Sequence, residues 1–439
     1  MPREFTSIPS AQPVYPELPS IAESGGRWAP QTPTDTLATG IEASVLSDLA
    51  LKTTCPVPHF TNEWAARKLH LPLHIVQQLL DELREERLVE MLGQTGPFSF
   101  RYAATQRGRE RGFRLMEIAG YVGPTPVSLA AYSAMLNWQL ARFPPIRPED
   151  VASALSELVL DEQAPLLAGL GVSSGRSLFV FGPAGNGKTS VARMLHRALP
   201  GDLWIPHALA VEGDVIRLFD PLCHELAEDA SPPIGNPDPR WVRIRRPLVV
   251  VGGELTLDLF DLTFSPSLRY YEAPLHLKAN GGLFLIDDFG RERVDPRLLI
   301  NRWITPLEHQ LDYLAMQTGQ KVEMPVRLLL VLATNLQPEA VTDPAFLRRL
   351  GYRLFLGPPS PENYARIFER YAVSCDVSVP QGMMEHLLQR YRDEQRELRA
   401  CEPRDLIERC RDICRYRNQP LSLSVEVIDL AWAGYFGNK

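Results

Sequence analysis

One stretch of eight residues, Gly182-Pro183-Ala184-Gly185-Asn186-Gly187-Lys188-Thr189, limits the folds open to this chain more than any other. It satisfies the pattern G-x-x-x-x-G-K-[ST] at every defined position. The residues before it, 177–181, read Ser-Leu-Phe-Val-Phe and predict a short buried strand. Behind it Val191, Met194, Leu195 and Leu199 recur at helical spacing, and Pro200 stops the helix. Glycines at these positions let the backbone bend sharply and turn its N–H groups toward an anion, and the new helix adds the positive end of its dipole. Lys188 is expected to reach the β- and γ-phosphates of ATP. Thr189 is expected to ligate Mg²⁺, and Ser190 completes the nucleotide-binding set.

A chain of 439 residues predicts two or three domains. Its apolar and charged fractions, 45% and 23%, are those of a globular protein. The net charge of −7 argues against a surface built all over for nucleic acid. No apolar run reaches membrane-span length and no secretory pattern opens the chain, so a cytoplasmic location is expected. Six cysteines show no paired C-x-x-C spacing. Cys410 and Cys414 stand one helical turn apart with Cys401 upstream, and without a nearby histidine they read as reduced helix residues rather than zinc ligands.

Read in order, residues 1–38 are rich in Pro, Ser and Thr and predict a disordered tail. Residues 39–104 predict three helices, carried by Ile41, Val45, Leu46 and Leu49, then by 61–70, then by Ile75, Leu79, Leu80 and Leu83. A hairpin follows, turning at 93–96. This order resembles a winged helix-turn-helix domain. DNA binding is a common use of that fold, but Asp81, Glu82, Glu85 and Glu86 outweigh Arg84 and Arg87 on the third helix, which favours docking on protein. Residues 105–150 predict a helical connector with an extended interruption at 121–128. Its arginines 107, 109, 111 and 114 read as a solvated helix face. Residues 203–211 predict a second strand, 231–247 an exposed insertion and 247–251 a further strand.

The apolar run from Gly282 ends in Asp287-Asp288, which suits a Walker B element: Asp287 for the magnesium shell, Asp288 to polarise the attacking water. Residues 326–335 form another apolar strand ending at Asn335, which could orient that water. A hairpin turning at 317–320 precedes it. Then come Arg348 and Arg349, and Glu402-Pro403-Arg404 opens a helix in the helical region 361–439.

These landmarks, in this order, resemble an AAA+ ATPase over residues 150–439. The resemblance implies a parallel α/β P-loop core over 151–360 and a helical lid over 361–439. Asn335 matches sensor 1, Arg348 or Arg349 the arginine finger that serves the neighbouring subunit, and Arg404 sensor 2. It further implies a homo-oligomer, a ring or spiral of hexamer kind. Residues 121–128, 174–179, 252–257, 278–290 and 301–308 are similar to a bacterial group of ATPases described as chaperone-like and associated with Flp-type pilus assembly. That likeness implies a protein partner to be remodelled or assembled. A winged-helix ATPase acting as a regulator or on nucleic acid is the alternative. Two departures stand out. The family's usual Asp-Glu is Asp287-Asp288 here, which predicts slow turnover, and 212–215 lacks the aromatic-apolar-glycine loop of threading unfoldases.

Overall fold

The computed structural model describes residues 17–228, 232–341 and 344–437. Five strands run parallel through its centre in the order Leu248–Val251, Leu283–Ile286, Leu329–Thr334, Leu178–Phe181 and Tyr352–Phe355. Leu283 through Ile286 are solvent-free on both faces, as a strand covered twice must be. One face packs on the helices Pro148–Ala154, Gln163–Ser174 and Lys188–Leu195. The other packs on helix Pro296–His309 and on Phe260, Phe289 and Trp303. Three adjacent strands therefore end side by side, and the residues that follow them are Gly182, Asp287 and Asn335. This parallel sheet with helices on both faces resembles an AAA+-type P-loop fold.

Four helices close the chain: Pro361–Ser374, Met383–Asp393, Glu402–Tyr416 and Val425–Phe436. Their shared core holds Tyr364, Phe368, Tyr391, Trp432 and the buried Cys410 and Cys414. At the other end, helices Ala43–Thr54, Asn62–Leu69 and Leu73–Glu85 pack against strands Phe60–Thr61, Val89–Gly96 and Ser99–Ala104. The hairpin turns at Pro97 and Phe98 rather than at 93–96. Gly93 instead marks a register shift, with φ at +155°, and proline at 97 ends the ladder because it has no N–H to donate.

The largest departure from the sequence reading is a second β layer. Strands Val127–Ser128, Ala208–Val211, Asp214–Arg217, Tyr270–Glu272 and Thr263–Ser265 form one sheet, and Asp202–Pro206 pairs with Trp241–Arg245. The hairpin Leu311–Ala315 and Lys321–Pro325 adds Leu314 and Met324 to the same core. Residues 203–211 are thus two strands broken at His207, and neither joins the central sheet. The exposed insertion expected at 231–247 contains a strand whose Trp241 is buried. The connector expected at 105–150 includes helix Leu129–Arg142, which sinks Tyr132, Met135 and Trp138 into this layer.

Of the tail expected at 1–38, residues 1–16 lie outside the described residues. The rest is structured. Ile21–Ser24 pairs with Arg27–Pro30, and Trp28 stacks edge-on against Trp138 at 5.6 Å while its carbonyl accepts from Trp204 Nε1 at 2.9 Å. One buried tryptophan contact supplies what the proline-rich composition concealed. A buried ion pair, Arg240 to Asp238 at 2.8 Å, donates also to the Thr39 carbonyl and so ties this segment to the β layer. Among the described residues, no helix is long and apolar enough to cross a membrane.

Candidate functional site

The phosphate loop leaves the strand Leu178–Phe181 and enters helix Lys188–Leu195. Gly182, Gly185 and Gly187 have φ of +140°, +86° and +84°, conformations in which a side chain is strained. Gly182 is doubly constrained, because a Cβ there would lie 2.2 Å from the Leu356 carbonyl oxygen. The loop is thereby wrapped tightly against the sheet's last strand, with the first turn of the helix at its end.

Lys188 folds over the loop. Its Nζ donates to the carbonyls of Gly182 at 3.1 Å and Pro183 at 2.9 Å, and to Asn335 Oδ1 at 2.7 Å. The same amide turns its Nδ2 to Asp288 Oδ1 at 3.1 Å. Asn335 therefore spans the gap between a cation and a carboxylate. Burial pulls the Lys188 ammonium below its usual range, against the opposing pull of Asp288 and Asp287.

Thr189 Oγ1 donates to the Asp287 carboxylate, 2.9 Å from either oxygen. The Asp287 backbone is fixed by its N–H to the Val251 carbonyl at 2.8 Å. A hydroxyl and a carboxylate held together are hard oxygen donors, and they fit a magnesium ion that keeps most of its waters. Asp288 sits at φ +53°, a left-handed conformation that costs a non-glycine residue about 1 kcal/mol or more. The Phe289 N–H bonds the Ala333 carbonyl and Thr334 Oγ1 bonds the Phe289 carbonyl, so the turn after Asp288 is stitched to the neighbouring strand.

Two further acids lie beside this pair. Glu254 follows the adjacent strand and accepts from the Gly252 N–H at 3.1 Å. Glu292 accepts from the Gly290 N–H at 2.7 Å, while its Oε1 is buried without a hydrogen-bond partner among the described residues. Burial first, then the charge of Asp288, pushes the Glu292 carboxyl up. Nothing in the sequence pattern singles out Glu292. Its only signal is a position four residues past Asp288 in a glycine-containing turn.

The turn before helix Glu402–Tyr416 reaches the loop through its backbone. The Cys401 N–H donates to the Gly185 carbonyl at 2.9 Å, and the Ala400 N–H to Asn186 Oδ1 at 3.2 Å. Asn186 keeps its Nδ2 buried and without a hydrogen-bond partner among the described residues. Arg404 stands in the next turn, but its guanidinium lies on Asp405 and its side chain is 61% exposed. Arg348 and Arg349 are elsewhere. They border a cavity at the opposite edge of the sheet, where the strands begin, with Arg349 paired to Glu308. Neither faces the phosphate loop of its own chain. Of the expected set, Lys188, Thr189, Asp287, Asp288 and Asn335 come together, Arg404 lies nearby, and Arg348 and Arg349 do not join them.

Residues 360–434, within the four C-terminal helices, match a family model described as a domain of unknown function, DUF8689. No curated protein matches the chain. Among solved structures, NtrX from Brucella abortus in complex with ATP is 14% identical, with 68% of this chain and 60% of that one covered at a TM-score of 0.38. The Thermotoga maritima RuvB Holliday junction branch migration motor is 16% identical, with 65% and 68% covered at a TM-score of 0.34. The chain spans about three fifths of the NtrX chain.

Proposed function

We propose that the chain is an ATPase that works as a homo-oligomer, a ring or spiral of hexamer kind, and uses hydrolysis to remodel or assemble a protein partner. The observation that carries this reading is the convergence at one sheet edge of Lys188, Thr189, Asp287, Asp288 and Asn335, joined by hydrogen bonds of 2.7–3.1 Å. Residues 182–190 would cradle the phosphates of ATP. A magnesium ion held from Thr189 and Asp287 would neutralise charge between the β- and γ-phosphates. Asp288, with Asn335 on its carboxylate, is positioned to draw a proton from water. The lid would report nucleotide through residues 399–404, where Arg404 can swing from exposed Asp405 pairing.

The location of Arg348 and Arg349 on the far edge supports action in trans. A finger that cannot serve its own loop can serve a neighbour's. The partner reading draws on the hairpin of residues 89–104, where Met91 and Leu92 are exposed on one strand and Phe98, at the turn, is 78% exposed. An apolar surface suits protein better than a phosphate backbone. The sequence resemblance makes that partner a pilus-assembly component, with a chaperone-like role. DNA binding by the winged-helix-like module is the second reading. Arg111, already paired with Asp48 and Glu86, is spent within the module and weakens it.

Lys188→Ala is expected to abolish ATP binding by calorimetry. Asp288→Asn should bind ATP with little change yet release no phosphate. Normal ATP affinity in Lys188→Ala would sink the reading. A gel shift of the full chain separates the two partner classes: retardation of duplex DNA that fades steeply with salt would favour nucleic acid.

A further inference from the structure

Where the hairpin of Ile21–Ser24 and Arg27–Pro30 meets the second β layer lies a pocket of about 330 Å³. Three parts of the chain line it: Arg27 and Trp28 from the hairpin, Phe143 just past helix Leu129–Arg142, and Trp204 from the strand Asp202–Pro206. Pro144, Pro200, Pro232 and Pro233 stand in the wall. Proline has no N–H, so such walls offer ring carbons and few donors. The pocket shares no residue with the phosphate loop. Its volume sits at the lower end of small-molecule sites, which begin at about 300 Å³.

The aromatic floor is fixed before any ligand arrives. Trp28 lies 5.6 Å from both Trp138 and Phe143, edge-on to the first and tilted by 55° to the second. Trp204 Nε1 donates to the Trp28 carbonyl at 2.9 Å. The Trp204 backbone exchanges two hydrogen bonds with the Gln139 amide, at 2.8 and 3.0 Å. Gly201 has φ of +71°, and a Cβ there would stand 2.3 Å from the Phe143 ring, so only glycine lets that ring settle where it does. Trp28, Phe143 and Trp204 are partly buried against the core behind them and turn their remaining surface to the pocket. The charges at its edge differ in their pairing. Asp202, the one carboxylate among the described residues of the lining, is held by Arg243 at 2.8 Å. Arg142 meets Glu23 at 3.3 Å and lies over the Trp138 ring at 4.3 Å. Arg27 has no carboxylate partner among the described residues; its Nη2 makes one long bond, 3.4 Å, across to the Pro232 carbonyl.

We propose that this pocket binds a small aromatic carboxylic acid, its ring among Trp28, Phe143 and Trp204 and its carboxylate on the Arg27 guanidinium. Offset and edge-on ring contacts favour a flat aromatic body over an aliphatic one. The planar fork of arginine matches two carboxylate oxygens at once. A body rich in polar groups would find few donors in the proline walls and would lose its hydration without return. Because the floor is already ordered, little conformational freedom is lost on binding.

The test is calorimetry on the full chain at neutral pH, with cinnamate, its uncharged amide cinnamamide, and acetate as probes. Cinnamate should bind with a measurable Kd. Cinnamamide should bind about tenfold more weakly or worse, the scale of one charge-assisted hydrogen bond. Acetate should give no measurable heat, because it lacks the ring. Arg27→Gln should bring cinnamate down to the affinity of cinnamamide and leave cinnamamide unchanged. The comparison of acid with amide needs no variant, which keeps the test valid if Arg27→Gln folds poorly. Lys188→Ala should leave cinnamate binding as it is, since the two sites share no residue. Absence of cinnamate binding would overturn the proposal. So would equal affinity for acid and amide, an affinity for cinnamate that a folded Arg27→Gln leaves untouched, or its loss in Lys188→Ala. Acetate binding as tightly as cinnamate would overturn the assignment to an aromatic acid.

Discussion

At the residue scale the site turns on short links between unlike groups. Asn335 is the clearest, since its one amide satisfies Lys188 Nζ and Asp288 at once. Asn335→Ala should leave the Lys188 and Asp288 charges without their bridge. Phosphate release should fall well before ATP affinity does, and a titration beside a turnover assay would separate the two. Histidine chemistry gives a second prediction. His207 lies in the break between two strands, edge-on to His70 at 4.8 Å and to Phe219 at 5.4 Å. Burial first, then the His70 charge, pushes it down to about 4. Folded His207 thus refuses a proton that the unfolded chain accepts below about pH 6.5. Its contribution to stability is complete above that value and is lost as pH falls toward 4. His207→Phe should flatten the melting-temperature profile between pH 4 and 6.5, whereas an unchanged slope would place the sensitivity on another group.

Elements differ sharply in how openly the sequence announces them. Four of the five central strands were legible because each is an unbroken apolar run, whereas the fifth, Tyr352–Phe355, carries the exposed Arg353 at the sheet edge and was not. Ile75, Leu79 and Leu83 were legible at helical spacing, and all are buried. The second β layer was legible only in pieces, as the apolar run at 203–211 and the hairpin turning at 317–320, and not as a layer. Its strands are two to five residues long, drawn from distant parts of the chain, and too short to show alternation. Trp28 and Trp241 are large apolar residues inside proline-rich stretches, and the structure packs both onto this layer. In the site, Lys188, Thr189, Asp287 and Asn335 could be found by pattern. Glu292 and the lid contacts at Ala400 and Cys401 could not, because backbone hydrogen bonds leave no mark on residue type. One glycine tests how closely these elements fit. Gly282 enters the strand before Asp287, and a Cβ there would stand 2.0 Å from the Pro247 carbonyl oxygen. Gly282→Ala should cost about 1–3 kcal/mol through forced displacement of packed backbone, read as a lower thermal midpoint. A midpoint equal to the parent's would show that the two strand starts are loosely joined.

At the scale of the whole molecule, the two ends of one sheet face different tasks. The loop edge carries the acids and the lysine, and the far edge carries the arginines. If subunits meet loop edge to finger edge, turnover per chain should rise with protein concentration until the oligomer forms. The double substitution Arg348→Ala with Arg349→Ala should keep ATP binding and lose turnover by about 10³–10⁵, the range known for arginine fingers. Turnover that is first order in protein at every concentration, and indifferent to both arginines, would mean that each chain completes its own site. The lid adds a mechanical consequence. Helix Glu402–Tyr416 is anchored next to the loop by the Cys401 and Ala400 hydrogen bonds, and it is about 22 Å long at the usual rise per residue. The helix shares its core with the other C-terminal helices, so the four would turn together as one lever arm. A tilt of about 10° at Cys401, too small to break its own backbone ladder, would sweep the far tip through about 4 Å. That tip is Tyr416, 93% exposed, so such a stroke would be delivered by an aromatic ring standing at the surface.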